Sequence, residues 1–207
     1  MNRFDTMAAG FDTNPRVKRA KAVADELRSH ISSAGKTAIE YGCGTGLVGL
    51  NLSDDFSSLT FIDSSAGMVD ELQKKIAGRG ASKLHTLCCD LMEELPAGLR
   101  TDHIFMSLVL HHISDTKKAL GVFHEMLNEG GHLLIVDLDT EDGSFHAEYP
   151  DFDGHNGYDQ SALAALAKSA GFKSVTSRTF FHDVKNVNGS DIPYSMFILD
   201  AKKQMQR

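Results

Sequence analysis

The sequence predicts an α/β fold in which helices cover both faces of a mostly parallel sheet. Three observations carry that prediction. Short apolar runs alternate with segments of helical spacing through five units, glycine or acidic residues stand directly after several of the runs, and the last two β-rich runs have no helix between them.

Asn14-Pro15 caps and opens a helix carrying Val17, Ala20, Ala24, Leu27 and Ile31, and Gly35 ends that segment. Thr37 to Tyr41 is a short strand leading into Gly42. Leu59 to Asp63 is the second apolar run, after which Ser64-Ser65 caps a helix with Met68, Val69, Leu72 and Ile76 on one face. Leu84 to Cys89 gives a third strand and Ile104 to Leu110 a fourth. Asp115 caps a helix bearing Leu120, Phe123 and Leu127, which Gly130-Gly131 stops, and His132 to Asp137 is the fifth strand. Asp159 caps a last helix through Leu163, Leu166 and Ala170, closed by Gly171. Ser174 to Phe181 and Tyr194 to Ala201 follow. Asn188-Gly189 has hairpin turn chemistry, so these two strands are expected as antiparallel neighbours.

A length of 207 residues suits one domain with a sizeable core. With 21 Lys and Arg against 28 Asp and Glu, the formal net charge is −7, and the surface lacks the basic field that a nucleic-acid backbone requires. The N-terminus shows no apolar signal-peptide region, and no run of roughly 18 apolar residues is present to span a bilayer. Of the three cysteines, Cys88 and Cys89 are adjacent, which suits neither a disulfide framework nor a paired CxxC zinc site. The expectation is a reduced, cytoplasmic protein without a nucleic-acid or membrane partner, either monomeric or a homodimer.

The strongest motif is Glu40-Tyr41-Gly42-Cys43-Gly44-Thr45-Gly46. Glycines at alternate positions directly after a strand let the backbone turn tightly and lie against a ligand without Cβ clashes. Gly44 to Gly49 also spells GxGxxG, with Asp63 near the distance of a ribose-binding acid, so a nicotinamide-dependent oxidoreductase is the alternative enzyme. Register speaks against it, because the glycine nearest the strand end is Gly42. The chain also has no tyrosine followed by lysine four positions later.

On these residues the chain resembles the class I S-adenosylmethionine-dependent methyltransferases. The E/DxGxGxG segment is matched by Glu40, Gly42, Gly44 and Gly46, and the acid closing the second strand by Asp63. Met68 stands where the family packs a side chain on adenine, and Asp90 matches the acid that takes the adenine amino group. Ser107 to His112 resembles the fourth-strand segment beside the methionine moiety, and residues 4–12 resemble the N-terminal lid of ubiquinone/menaquinone-type small-molecule members. The resemblance implies a Rossmann-like three-layer sandwich of seven strands with the last antiparallel. Residues 1–35 would form a helical lid and 36–207 the core of a single domain. It implies S-adenosylmethionine as cofactor, S-adenosylhomocysteine as product, and cofactor contacts from Phe11, Glu40, Tyr41, Gly42, Cys43, Gly44, Gly46, Asp63, Ser64, Met68, Cys89, Asp90, Leu91 and Ser107.

Elementary chemistry agrees. The cofactor carries a sulfonium, an ammonium, a ribose diol and an adenine amino group, all of which favour carboxylate acceptors. Glu40, Asp63 and Asp90 each end a strand and are expected to point into one cleft. Cys43 reads as a small filler behind the loop. Methyl transfer is an in-line displacement that needs alignment and exclusion of water, and a general base only where the acceptor must lose a proton. His111, His112 and His155 are the acceptor-side candidates, with residues 142–158 as the acceptor loop. His182 reads as late-strand structure. No metal site is expected, because His111, His112, Asp137, Asp139 and His155 have no ligand spacing that specifies one. The expected acceptor is a small molecule: the Asn/Asp-Pro-Pro-aromatic run of nucleic-acid and glutamine amino-methylating members is replaced here by Ser107-Leu108-Val109-Leu110. A protein that binds the cofactor without catalysis is the non-enzymatic alternative.

Overall fold

The computed structural model describes residues 3–31, 35–77, 79 and 82–205. The chain packs as two compact units, residues 1–106 and 107–207, and the expected lid at 1–35 is part of the first unit. Seven strands form a sheet in the order β3-β2-β1-β4-β5-β7-β6.

In the first unit, α1 (Arg3–Met7) and a 3-10 turn precede α2 (Asn14–Arg28). Thr13 rather than Asn14 holds the cap position of α2, with extended backbone, and Ala20, Val23, Ala24 and Leu27 make its buried stripe. Val17, expected on that stripe, is 44% exposed. The helix ends at Arg28, short of Gly35. Its last turn tightens to i→i−3 bonds from Ser29 to Glu26 and His30 to Leu27, and the Ser29 hydroxyl also donates to the Glu26 carbonyl, so the α-helical ladder stops.

β1 (Thr37–Tyr41), β2 (Ser58–Asp63) and β3 (Leu84–Cys88) run parallel, and β4 (Thr101–Ser107) is parallel to β1 on its other side. β1 thus has neighbours left and right, and the crevice beyond its carboxyl end is where such sheets bind ligands. After β2, the Ser65 hydroxyl accepts the Met68 N–H and caps α3 (Ala66–Ala77), whose Met68, Val69 and Leu72 are buried.

In the second unit, the expected fourth strand stops early. Leu108 takes φ 57°, a conformation few leucines adopt, and a 3-10 turn at Leu110–His112 follows. His111 and His112 therefore stand on a tight turn, not at a strand end. Asp115 caps α4 (Thr116–Met126) through the Lys118 N–H. The stop expected at Gly130-Gly131 falls earlier, because the chain enters β5 (Leu127–Leu138) directly from Met126. The early residues of β5 find partners in Lys203: Gly130 donates to its carbonyl, its N–H donates to Gly131, and its ammonium takes the His124 and Leu127 carbonyls at the helix end.

Asp159 caps α5 (Gln160–Ser169) as expected. β6 (Ser174–Val187) and β7 (Ser190–Lys202) are the expected antiparallel pair, longer than the apolar runs, and they meet at a turn with φ 51° at Asn188 and 85° at Gly189. β7 is also antiparallel to β5, so the last strand lies between its two neighbours, as the family resemblance implied. No helix among the described residues is long and apolar enough to cross a membrane.

Candidate functional site

The first unit assembles most of the expected cofactor residues at the carboxyl ends of β1, β2 and β3. Gly42, Gly44 and Gly46 all have positive φ, at 66°, 52° and 77°, a conformation that residues with side chains rarely adopt. The Gly44 N–H donates to Asp63 Oδ2 at 2.7 Å, and the Ser65 N–H donates to Asp63 Oδ1 at 2.8 Å. The acid that closes β2 thereby fixes the loop that follows β1. Burial pushes the Asp63 carboxyl above its usual range, and the Ser65 and Gly44 donors pull it back. Each carboxylate oxygen retains a further acceptor direction.

Glu40 is enclosed, unlike the partly exposed Asp63 and Asp90: its side chain is 3% exposed, with Oε2 accepting the Gly49 N–H at 3.1 Å. Loss of water around the carboxylate pushes its pKa up to about 8, only partly offset by the Gly49 donor. A Cβ on Gly49 would collide with Glu40 Oε2 and the Phe61 ring. That contact accounts for the third glycine of the GxGxxG spelling as a packing requirement. Gly49→Ala is accordingly expected to lower stability by about 1–3 kcal/mol, the usual cost of overpacking, as measured by urea denaturation.

Tyr41 is buried, and its hydroxyl donates to Asp90 Oδ1 at 3.4 Å, while the Met92 N–H donates to the same oxygen at 2.8 Å. Burial first, and then the Asp90 charge, raise the Tyr41 hydroxyl, which stays protonated. Cys89 ties β3 to β2 through its N–H to the Asp63 carbonyl at 3.1 Å, and Leu91, on the other side of Asp90, is buried. Ser64 is exposed. Cys43 is buried, and desolvation pushes its thiol well up, which suits a filler and not a nucleophile.

The N-terminal segment is latched onto this site through Asp5, Asp12 and Phe11. Asp5 Oδ1 accepts the Ser65 hydroxyl at 2.6 Å and the Gly67 N–H at 3.2 Å. Asp12 accepts the Thr45 hydroxyl and pairs with Lys75 at 2.6 Å, and Lys75 also donates to the Thr45 carbonyl. The Phe11 ring faces Gly44, with Arg16 stacked on it at 4.2 Å. Sequence reasoning named Phe11 but missed Asp5, Asp12 and Lys75, because nothing in the local pattern ties a lid acid to partners at least 33 residues further on.

The second unit brings its own histidines together. Ser107, the last residue of β4, is half-buried. The His111 ring is fully buried, and Nδ1 lies 2.6 Å from Asp137 Oδ1. Asp137 Oδ2 accepts the His111 N–H, and Oδ1 also accepts the Leu138 N–H. His112 is exposed beside it, and His146 joins the pair, with ring centroids 4.9 Å from His111 and 5.7 Å from His112. The His155 ring is engaged elsewhere: Nε2 donates to the Ile113 carbonyl at 3.0 Å, and its backbone N–H donates to the His111 carbonyl. Asp139 is spent on Gln160, Thr179 and Ser195. A groove of about 850 Å³ runs between residues 139–144 and the β6–β7 hairpin. His182, expected as plain strand structure, lies on its wall with Asp142, Asp183 and Tyr194.

The sequence matches the family described as a methyltransferase domain over residues 15–177. A malonyl-[acyl-carrier protein] O-methyltransferase of Anoxybacillus flavithermus is 27% identical over 152 residues, covering 72% of this chain and 56% of the relative. An uncharacterized methyltransferase of Schizosaccharomyces pombe is 25% identical over 151 residues, covering 66% and 53%. The chain thus spans about half the length of the curated relatives it matches. Phosphoethanolamine N-methyltransferase 2 of Haemonchus contortus, solved with phosphomonomethylethanolamine and S-adenosylhomocysteine, has a TM-score of 0.70 at 16% identity, covering 84% of this chain and 50% of that one. At that identity the likeness speaks for the fold. With the family match spanning most of its length, the chain belongs to the methyltransferase-domain family, within the class I S-adenosylmethionine-dependent type that its glycine loop resembles.

Proposed function

We propose that this chain is a cytoplasmic methyltransferase that takes its methyl group from S-adenosylmethionine and passes it to a small molecule. The observation that carries the reading is the junction of β1 and β2, where the Asp63 carboxylate grips the Gly44 backbone within a loop of positive-φ glycines. A Cβ at Gly44 would stand 3.7 Å from Phe11 Cε1 and 3.9 Å from Met68 Sδ, so an aromatic ring and a thioether both lie close to the bare backbone of the loop. Apolar faces beside strand-end acids are the chemistry that the cofactor's flat and polar parts call for. When bound, S-adenosylmethionine supplies a methyl group on a positively charged sulfur.

Asp63 would accept the ribose hydroxyls on its remaining lone pairs, and Asp90, oriented by Tyr41 and Met92, would accept the adenine amino group. Gly42 to Gly46 would carry the amino-acid part, with Met68 and Phe11 on the apolar faces. Glu40 would act through the loop it supports. On the acceptor side we assign His111 and His112, with His155 positioning their turn through its bonds to His111 and Ile113.

Calorimetric titration tests the reading directly. Saturable binding of S-adenosylmethionine and S-adenosylhomocysteine, and none of NADH, is expected; binding of NADH alone would reinstate the oxidoreductase. Asp63→Ala should weaken S-adenosylmethionine by at least about tenfold, since two charge-assisted bonds worth about 1.5 kcal/mol or more are lost. Unchanged affinity in a folded Asp63→Ala protein removes Asp63 from the site.

A further inference from the structure

We propose that His111, His112 and His146 form a binding site for a zinc-class divalent metal ion. One ring nitrogen from each histidine lies within 4.8 Å of the corresponding nitrogens of the other two. The proposal is independent of the cofactor reading and stands on the second unit alone.

The protonation pattern of His111 is set by its neighbour. Asp137 is an acceptor, and its Oδ1 lies 2.6 Å from Nδ1, so Nδ1 carries the proton and Nε2 keeps its lone pair. Nε2 is buried, with no hydrogen-bond partner among the described residues. A buried imidazole acceptor with no donor in hydrogen-bond range costs free energy, and the rings of two further histidines converge on it. A carboxylate on the far nitrogen is also the arrangement that orients a metal-ligating histidine and raises its basicity.

The supports are rigid. His111 and His112 share the 3-10 turn entered through Leu108, whose positive φ is the kind of backbone strain that persists where the surroundings demand it. His146 sits on a second 3-10 turn, Ser144–His146, which Glu141 holds by accepting the Gly143 and Phe145 N–H groups. Phe152 stacks on the His146 ring at 3.9 Å and 10° and meets His112 edge-on. A Cβ at Gly154 would collide with the His111 carbonyl, so the loop that carries Phe152 packs directly on the turn.

Tetrahedral zinc with bonds of about 2.0–2.1 Å needs nitrogens roughly 3.3 Å apart, inside the 4.8 Å within which these three lie, and the exposed His112 ring can close its share of that gap by rotation. The same exposure gives an ion its route in. Three imidazoles suit zinc, cobalt, nickel or copper better than magnesium or calcium, and they leave a fourth position for water or a donor atom of a small ligand.

The test uses the tag-free, chelator-stripped protein titrated with Zn²⁺ by calorimetry and with Co²⁺ by visible absorption. One equivalent per chain, with the intense d–d bands of four-coordinate cobalt, is expected. Loss of an outer partner alone typically costs a metal site 10–100-fold, so His112→Ala and His146→Ala should each weaken Zn²⁺ by at least about 100-fold. His85→Ala and Cys88→Ser, at exposed positions outside the cluster, should leave the affinity unchanged. Because His112 is exposed, its variant keeps the fold, and circular dichroism confirms that. No stoichiometric binding, a six-coordinate cobalt spectrum, or an affinity that follows His85 or Cys88 and not His112 and His146 overturns the proposal.

Discussion

Glu40→Gln is expected to become progressively more stable than the unmodified protein as pH rises from about 4.5 to 8. Glu40 is fully enclosed, and its carboxyl is raised from 4.5 to about 8 mainly because the charged form has lost its water. Below pH 4.5 the folded and unfolded chains both carry the proton, so the group contributes no difference. Between 4.5 and 8 the unfolded chain releases its proton while the folded chain keeps it, and folding loses stability across that window. Above 8 both states are ionised and the loss levels off. A displacement of this size corresponds to roughly 5 kcal/mol at 1.36 kcal/mol per pH unit. Glutamine keeps an acceptor for the Gly49 N–H at the same place and does not titrate, so its pH profile lacks this component. Urea denaturation of both proteins at pH 5 and pH 8 checks the point. Parallel profiles would mean that Glu40 reaches water or a cation in the folded state.

The behaviour of Glu40 also shows where the sequence stops speaking. The motif around it announced a glycine loop after a strand, and Gly42, Gly44 and Gly46 all have the positive φ that such a loop needs. It did not announce which way Glu40 points, because a central parallel strand is buried on both faces and carries no apolar-polar alternation to read. The helix starts at Ser65, Asp115 and Asp159 were readable, since each side chain makes its own capping bond within three residues. The ends of α2 and β4 and the start of β5 were not. They depend on a serine that competes for a carbonyl, a strained Leu108, and a Lys203 more than seventy residues away in sequence. The histidine cluster escaped for the same reason. His146 meets His111 and His112 only because two separate 3-10 turns face each other, and no local spacing encodes that. The family match explains why the overall topology was readable while these contacts were not: strand order is common to the fold, but the side chains on the loops belong to this chain.

Asp137→Ala is expected to cost at least about 3 kcal/mol, because it strips three buried donors of their acceptor at about 1–3 kcal/mol each. The carboxylate is wholly buried and receives three donors: the His111 ring at 2.6 Å, the Leu138 N–H at 2.8 Å and the His111 N–H at 3.2 Å. Alanine leaves all three without acceptors, and each orphaned buried donor costs about 1–3 kcal/mol. Asp137→Asn separates charge from geometry. Its carbonyl oxygen can keep the two Oδ1 bonds, while its amide is forced against the His111 N–H, so an intermediate loss is expected. Guanidinium denaturation of the three proteins at pH 7 should rank them unmodified, Asn, then Ala. Equal losses for Asn and Ala would show that the negative charge, and not the number of acceptors, holds the turn. A loss below about 1 kcal/mol for Ala would mean that water replaces the carboxylate, because only an added acceptor could satisfy three donors in so enclosed a place. In either case the measurement reads the Leu110–His112 turn itself, since all the donors that Asp137 satisfies belong to that turn or to the strand on which Asp137 sits.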